Sequence, residues 1–231
     1  MADLTQIIPN KEKALFLAKR QVSELVCDAV NLEGIHYTLP EVQTLLDGVT
    51  VGGHTMNDQL ITLNQAAAWK ALFGMIESNT FALNKTTACE LHQIAAQKEA
   101  LKWGCFRTGN VTIAGVKDYL PPDAKALDEL LHSMVEQAEA IGDMFDRAIF
   151  VFLQMARTQF FYDVNKRMGR FMMNGLLLSQ GYPAINLPAK RQLTFNQLML
   201  AFYESNDVRP MTDFMKSCLD DAVITIMSEV N

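Results

Sequence analysis

Basic charge, paired cysteines and clustered histidines are all scarce in this chain. Lys and Arg number 20 against 26 Asp and Glu, giving a formal net charge of −6. That balance argues against a nucleic-acid binder working by bulk electrostatics, which needs an excess of cations along its contact face. Cys27, Cys89, Cys105 and Cys218 are scattered and form no CxxC pair. They read as small apolar residues in a reducing compartment rather than as a disulfide framework or zinc site. His36, His54, His92 and His132 are equally dispersed and suggest no metal cluster. No apolar run approaches the length of a membrane span, and no leader-like pattern opens the chain. The expectation is a cytoplasmic protein that does not act at a membrane.

What is present is an ordinary globular mixture. With 231 residues, 49% of them apolar, the chain can bury one sizeable core. Helical spacing dominates. Leu15, Ala18, Val22, Leu25, Val26 and Ala29 mark a stripe on a helix over 11–32, which Gly34 is placed to end in the left-handed conformation. Thr38-Leu39-Pro40-Glu41 is a capping box that starts a short helix through Leu46. Further helices are predicted over 61–77, over 87–98 behind a Thr87/Glu90 capping box, and along 127–138 and 144–160. The last three are predicted over 167–179, 193–203 and 211–227. Val111-Thr112-Ile113-Ala114, bracketed by Gly109 and Gly115, favours a short strand or hairpin with an open edge. The predicted class is therefore all-α with one small β element. Exposed apolar faces on the terminal helices would be compatible with a homodimer.

One stretch asks for a functional reading. From Gln159 to Arg170 the sequence runs QFFYDVNKRMGR and joins two apolar helix patterns. Gln159 continues the buried stripe of the first, so its side chain should point inward at the junction. Cations are disfavoured at a helix start, yet Lys166, Arg167 and Arg170 fall in the first turns of the second helix. Their presence there fits a strongly negative partner such as a polyphosphate, because the unpaired N–H groups of a helix start already favour anions. Asp163, just before the helix, is a suitable hard ligand for the accompanying Mg²⁺. The alternative is a polar loop whose arginines pair with surface carboxylates. Glu33, the last side chain before Gly34, sits where the helix dipole disfavours a carboxylate, so a distant cation would suit it.

This stretch resembles the Fic/Doc (Fido) signature HxFx(D/E)GN(G/K)RxxR. The likeness extends to three other elements in the right order. Gly115-Val116-Lys117-Asp118-Tyr119-Leu120-Pro121-Pro122 after Val111–Ala114 resembles the family's flap and its PP-led helix. Ala29-Val30-Asn31-Leu32-Glu33-Gly34 with the following Thr38–Val42 is similar to an N-terminal inhibitory helix, (S/T)xxxE(G/N). The resemblance implies a Fic-type helical bundle with a β-hairpin flap. It also implies two regions, 1–84 carrying the inhibitory helix and 85–231 forming the Fic core.

The activity so implied is transfer of AMP from ATP to a hydroxyl of a target protein. Asp163 would hold Mg²⁺. Asn165, Lys166, Arg167 and Arg170 would bind the phosphates, with Asn165 and Arg167 part of the reacting centre. Val111, Thr112, Ile113 and Ala114 would align the target segment by backbone pairing, and Glu33 would inhibit by pairing with Arg170. Four departures stand out, the first being Ala29 where the inhibitory motif has serine or threonine. Gln159 replaces the family's histidine base, and a carboxamide can orient a hydroxyl but not take its proton. No other histidine is expected to reach the site. Val164 replaces the first signature glycine and restricts the loop. Lys166 replaces the second, as in the Doc-like branch, whose members transfer a phosphoryl group. Three functions stay open: an attenuated, autoinhibited adenylyltransferase, a nucleotide-binding pseudoenzyme without transfer, or hydrolysis of an AMP-modified target with Glu33 positioning water.

Overall fold

A computed structural model describes residues 4–229. Among these the chain forms eleven α-helices and short 3-10 turns, with no strand. In order they are α1 Lys11–Arg20, α2 Val22–Asn31, α3 Leu39–Leu46, α4 Met56–Glu77, α5 Lys85–Ala95 and α6 Leu127–Glu139. Then come α7 Met144–Thr158, α8 Asn165–Ser179, α9 Gln192–Ser205, α10 Arg209–Lys216 and α11 Asp221–Ser228. No helix is long and apolar enough to cross a membrane among the described residues.

The centre is the pair α7 and α8, which pack along their whole lengths. Helix α8 is buried on nearly every side, as a helix enclosed by others must be. Its axis lies close to α7 because Gly169 has no side chain. A Cβ there would stand 2.8 Å from the carbonyl oxygen of Phe152 and 3.0 Å from its ring. Helices α4, α5 and α6 flank this pair, α2 packs on α4, and α1 packs against α8 and α11.

Several boundaries differ from expectation, each for a local reason. The first stripe is two helices, broken at Gln21 (φ −93°, ψ 5°), so that α1 faces α8 while α2 faces α3 and α4. The Thr38/Glu41 capping box forms as predicted, with Glu41 Oε2 accepting from the Thr38 N–H at 2.7 Å. Helix α4 starts at Met56, because Thr55 and Asp58 make a second box. Helix α5 is capped by Asn84, whose side chain accepts from the Thr87 N–H at 2.9 Å. Thr87 is thus already inside the helix. The last predicted helix is split, since Asp220 caps a new start at α11.

The predicted hairpin at Val111–Ala114 does not form. Residues 108–122 make an irregular strap with one reverse turn, closed by the Val116 N–H to the Ile113 carbonyl at 3.2 Å, with Gly115 at φ 81°. The returning arm ends in Pro121-Pro122, which have no N–H to give a ladder, and no neighbouring strand is present to pair with.

Candidate active site

The loop between α7 and α8 is built from backbone geometry that few side chains tolerate. Gln159 ends α7 in the left-handed conformation (φ 55°), and Val164 opens α8 in the same region (φ 66°). A β-branched residue there is strained by about 1–3 kcal/mol. Val164 is held because its side chain is buried in the core. Asn165 then clamps the loop: its Oδ1 accepts the Phe161 N–H at 2.9 Å, and its Nδ2 donates to the Phe161 carbonyl at 2.8 Å. The same Nδ2 donates to Gln159 Oε1 at 3.0 Å, while Gln159 Nε2 donates to the Ala156 carbonyl at 2.5 Å. Gln159 points inward as predicted, with both ends of its amide engaged.

Above this loop is a cavity of about 560 Å³. Gln159, Asp163, Val164, Asn165, Lys166 and Arg167 form its floor. Thr112 to Gly115 of the strap form one wall, and Asn196, Met199, Leu200 and Tyr203 of α9 another, with Glu33 at the edge. Val164 offers no side-chain cap, and the backbone N–H groups of Asn165, Lys166 and Arg167 have no acceptor among the described residues. The start of α8 therefore presents open donors and a positive dipole end to the cavity.

The cations there are already matched by carboxylates. Glu33 Oε1 accepts from Arg170 Nη2 at 3.2 Å, and its Oε2 lies 3.2 Å from Lys166 Nζ. Burial raises the pKa of Glu33, but Lys166, Arg170 and Arg167 outweigh it and hold the carboxyl below its ordinary range. Arg170 is buried behind Glu33 and is not on the cavity wall. Burial pulls its pKa down to about 10, which leaves it charged at neutral pH. Arg167 makes a two-pronged pair with Glu99, Nη1 to Oε2 at 2.9 Å and Nη2 to Oε1. Glu99 was invisible in the sequence. It follows Lys98, which takes the left-handed conformation (φ 62°) in the turn after α5, a helix that stops at Ala95 rather than Lys98. Arg167 is thus paired to a carboxylate, but inside the protein and not at the surface as the alternative reading had it.

A histidine does approach the loop, contrary to expectation, but from beneath. His92 on α5 is fully buried and stacks on Phe161, ring centroids 3.8 Å apart. Its Nδ1 accepts from the Gly104 N–H at 3.1 Å, so Nε2 carries the proton and donates to the Asp163 carbonyl at 3.3 Å. Burial drops its pKa to about 4. With both nitrogens engaged and no face on the cavity, it props the loop and is not placed to take a proton from a ligand.

Residues 82–177 match the Fic/DOC family by its sequence model. Over 226 residues it is 24% identical to the protein adenylyltransferase Fic of Drosophila mojavensis, and over 225 residues 23% identical to that of Drosophila virilis. Each alignment covers 94% of this chain but only 44% and 45% of the relative, so the chain spans less than half their length. Among solved structures, a Fic domain-containing signaling protein from Bacteroides thetaiotaomicron superposes with a TM-score of 0.75 at 17% identity. That match covers 97% of this chain and 90% of the other. C. elegans Fic-1 gives the same score and identity, covering 93% and 64%. At such identity these two establish a shared fold. The matched residues take in the strap, α7, the loop after it and most of α8.

Proposed function

We propose that this Fic domain binds ATP in the cavity above α8 and is a protein adenylyltransferase, held off by Glu33 and attenuated by Gln159. The observation that carries the reading is convergence. Asp163, the open N–H groups of α8, Lys166 and Arg167 face one cavity large enough for a nucleotide, with Glu33 lying on the cations that a polyphosphate would need. In this reading residues 1–84 carry the inhibitory helix and 85–231 the transferring core. The adenylyltransferase names of the relatives supply the reaction type.

The donor set fits Mg²⁺ only as a companion of the nucleotide. Among the described residues there is no group of three or more metal-binding side chains. Asp163 is exposed at the cavity floor, one oxygen accepting the Val164 N–H at 2.6 Å and the other left for a hard cation that keeps waters and phosphate oxygens around it. Such an ion would neutralise phosphate charge and orient the nucleotide.

The residues of the chain do the rest. The N–H groups at the start of α8 and Lys166 bind phosphate oxygens, and the charge that builds on the α-phosphate in the transition state falls on donors already in place. The acceptor hydroxyl oxygen would attack the α-phosphorus, the bond to the diphosphate would break, and the hydroxyl proton must leave to a base. Gln159 is not a base, and its amide is already bonded at both ends. Losing a positioned base costs roughly 10²–10⁴-fold in rate. The strap from Thr112 to Gly115 would align the acceptor segment from the cavity's open side.

Because Gln159 and His92 are both excluded as bases by their bonding, a second reading has direct support. In it the domain binds nucleotide without transferring AMP. Labelling with α-labelled ATP separates the two, using the chain as given, Glu33→Gly, and Glu33→Gly with Gln159→His. Labelling of the double variant alone identifies a disabled transferase. Nucleotide-dependent thermal stabilisation with no labelling in any form identifies a binding module. Absence of both overturns the nucleotide reading.

A further inference from the structure

Arg107 is 2% exposed, yet it has no carboxylate within salt-bridge distance among the described residues. A buried guanidinium is stable only when its donors are met, and here they are met by backbone carbonyls. Nε donates to the Gln159 carbonyl at 2.6 Å, and Nη1 to Gly109 at 2.7 Å. Nη2 donates to Pro122 at 2.5 Å, with a longer contact to Thr158 at 3.4 Å. The backbone N–H of Arg107 itself donates to the Phe160 carbonyl at 2.9 Å. One side chain therefore ties together the end of α7 and two points on the strap.

Those two points are the feet of the strap. Gly109 stands three residues before the segment that walls the cavity, and Pro122 seven residues after it. Between them the only backbone hydrogen bond among the described residues is the Val116–Ile113 turn. Two side contacts help: the Tyr162 hydroxyl accepts from the Thr108 N–H at 3.3 Å, and the Tyr119 hydroxyl donates to the Arg157 carbonyl at 3.1 Å. Neither spans both feet. Arg107 alone links both to the carbonyl of Gln159, the residue at which α7 stops.

We propose that Arg107 is a positioning residue that fixes the strap over the cavity in register with the loop, and so sets where an acceptor segment lies relative to bound nucleotide. The proposal rests on the adenylyltransferase reading for the word acceptor, but its structural content does not. The flat guanidinium aims separate donors at carbonyls on three segments. A lysine ammonium is a single point charge and cannot reach all of them at once.

The test uses the full chain with Arg107→Ala and Arg107→Lys. Three quantities are read: the melting temperature, the stabilisation by magnesium-ATP, and the rate of tryptic cleavage after Lys117 within the strap. Cleavage should rise roughly tenfold in Arg107→Ala, because the open form of the strap becomes more populated. Arg107→Lys should recover part of the melting temperature but not the resistance to cleavage. Stabilisation by magnesium-ATP should survive in Arg107→Lys. Recovery of resistance by lysine would show that charge or bulk suffices and overturn the proposal. So would unchanged cleavage in both variants, or loss of the ATP response with the strap still protected. If the parent chain itself fails to respond to ATP, the nucleotide reading falls, and the cleavage rates still decide the role of Arg107.

Discussion

Glu33, at the end of α2, lies between two cations of α8: Arg170 Nη2 is 3.2 Å from one carboxylate oxygen and Lys166 Nζ 3.2 Å from the other. In the proposed nucleotide reading, the carboxylate occupies donors that phosphate oxygens would use. Its replacement by glutamine should lower the melting temperature of the free protein, because two partly buried cations lose their partner. Stabilisation by magnesium-ATP should be larger than in the parent, since the ligand no longer displaces a charge. A thermal-shift titration of both proteins checks this, and an unchanged ATP response would remove Glu33 from any inhibitory role. The sign of the pH effect follows from the depressed pKa of Glu33. Its contribution to stability is present above the unfolded carboxyl pKa of about 4.5 and is lost as pH falls through the lower folded value.

His92 gives a separate pH signature at higher pH. It is buried neutral with a pKa near 4, against 6.5 when exposed. As pH falls from 6.5 toward 4 the unfolded chain takes up a proton that the folded chain refuses, so stability declines across that window. The full loss is on the order of 3 kcal/mol. His92→Phe keeps a ring against Phe161 but removes the titration. Urea unfolding at pH 7 and pH 5 should show a smaller difference for the variant than for the parent. Equal differences would mean that His92 is not the residue that titrates.

The helical class, most helix positions and the inward aim of Gln159 were legible because each depends on local pattern: apolar spacing, capping pairs, a glycine after a helix. The Glu33–Arg170 pair was legible only through the family resemblance; the local misplacement of Glu33 asked for a cation without saying which, and a frayed glutamate fitted it as well. The strap was misread because β-branched residues favour strand only where a partner strand exists, and here Pro121 and Pro122 deny one. Glu99, His92 and Arg107 were not legible at all. Their roles arise from tertiary approach: an early end to α5, a stacked ring under the loop, and carbonyls gathered from three segments. Val164 shows the opposite limit. Its place in the signature loop was clear, but its left-handed backbone is enforced by burial and not by its own preference.

Arg167 and the partly buried Glu99 form a two-pronged pair, with Arg167 Nε lacking a partner among the described residues. Removing one member of such a pair is worse than removing both, because the survivor stays desolvated and unpaired. Glu99→Ala should destabilise the protein by about 3–5 kcal/mol. Glu99→Leu combined with Arg167→Met should recover much of that loss, since two apolar groups need no partners. Chemical denaturation of the two forms gives the comparison. If the double variant is the less stable of the two, the pair contributes net stability beyond mutual compensation. ATP stabilisation should be lost in the double variant even where the fold is recovered, because Arg167 lines the cavity floor.

Gly169 lies between Met168 and Arg170, and its missing side chain sets how near α8 comes to α7. A methyl group there would meet the Phe152 carbonyl oxygen at 2.8 Å, a backbone atom that cannot rotate away. The helices would have to separate by a few tenths of an ångström or more. Overpacking of this kind costs about 1–3 kcal/mol, against roughly 1 kcal/mol gained from the better helix propensity of alanine. Gly169→Ala should therefore be destabilised by up to about 2 kcal/mol. The displacement would also move Arg167 and Arg170 relative to Glu99 and Glu33, so the ATP response should weaken as well. Melting temperature and ATP titration on the same sample read both effects. A variant more stable than the parent would show that the α7–α8 spacing is softer than this contact implies.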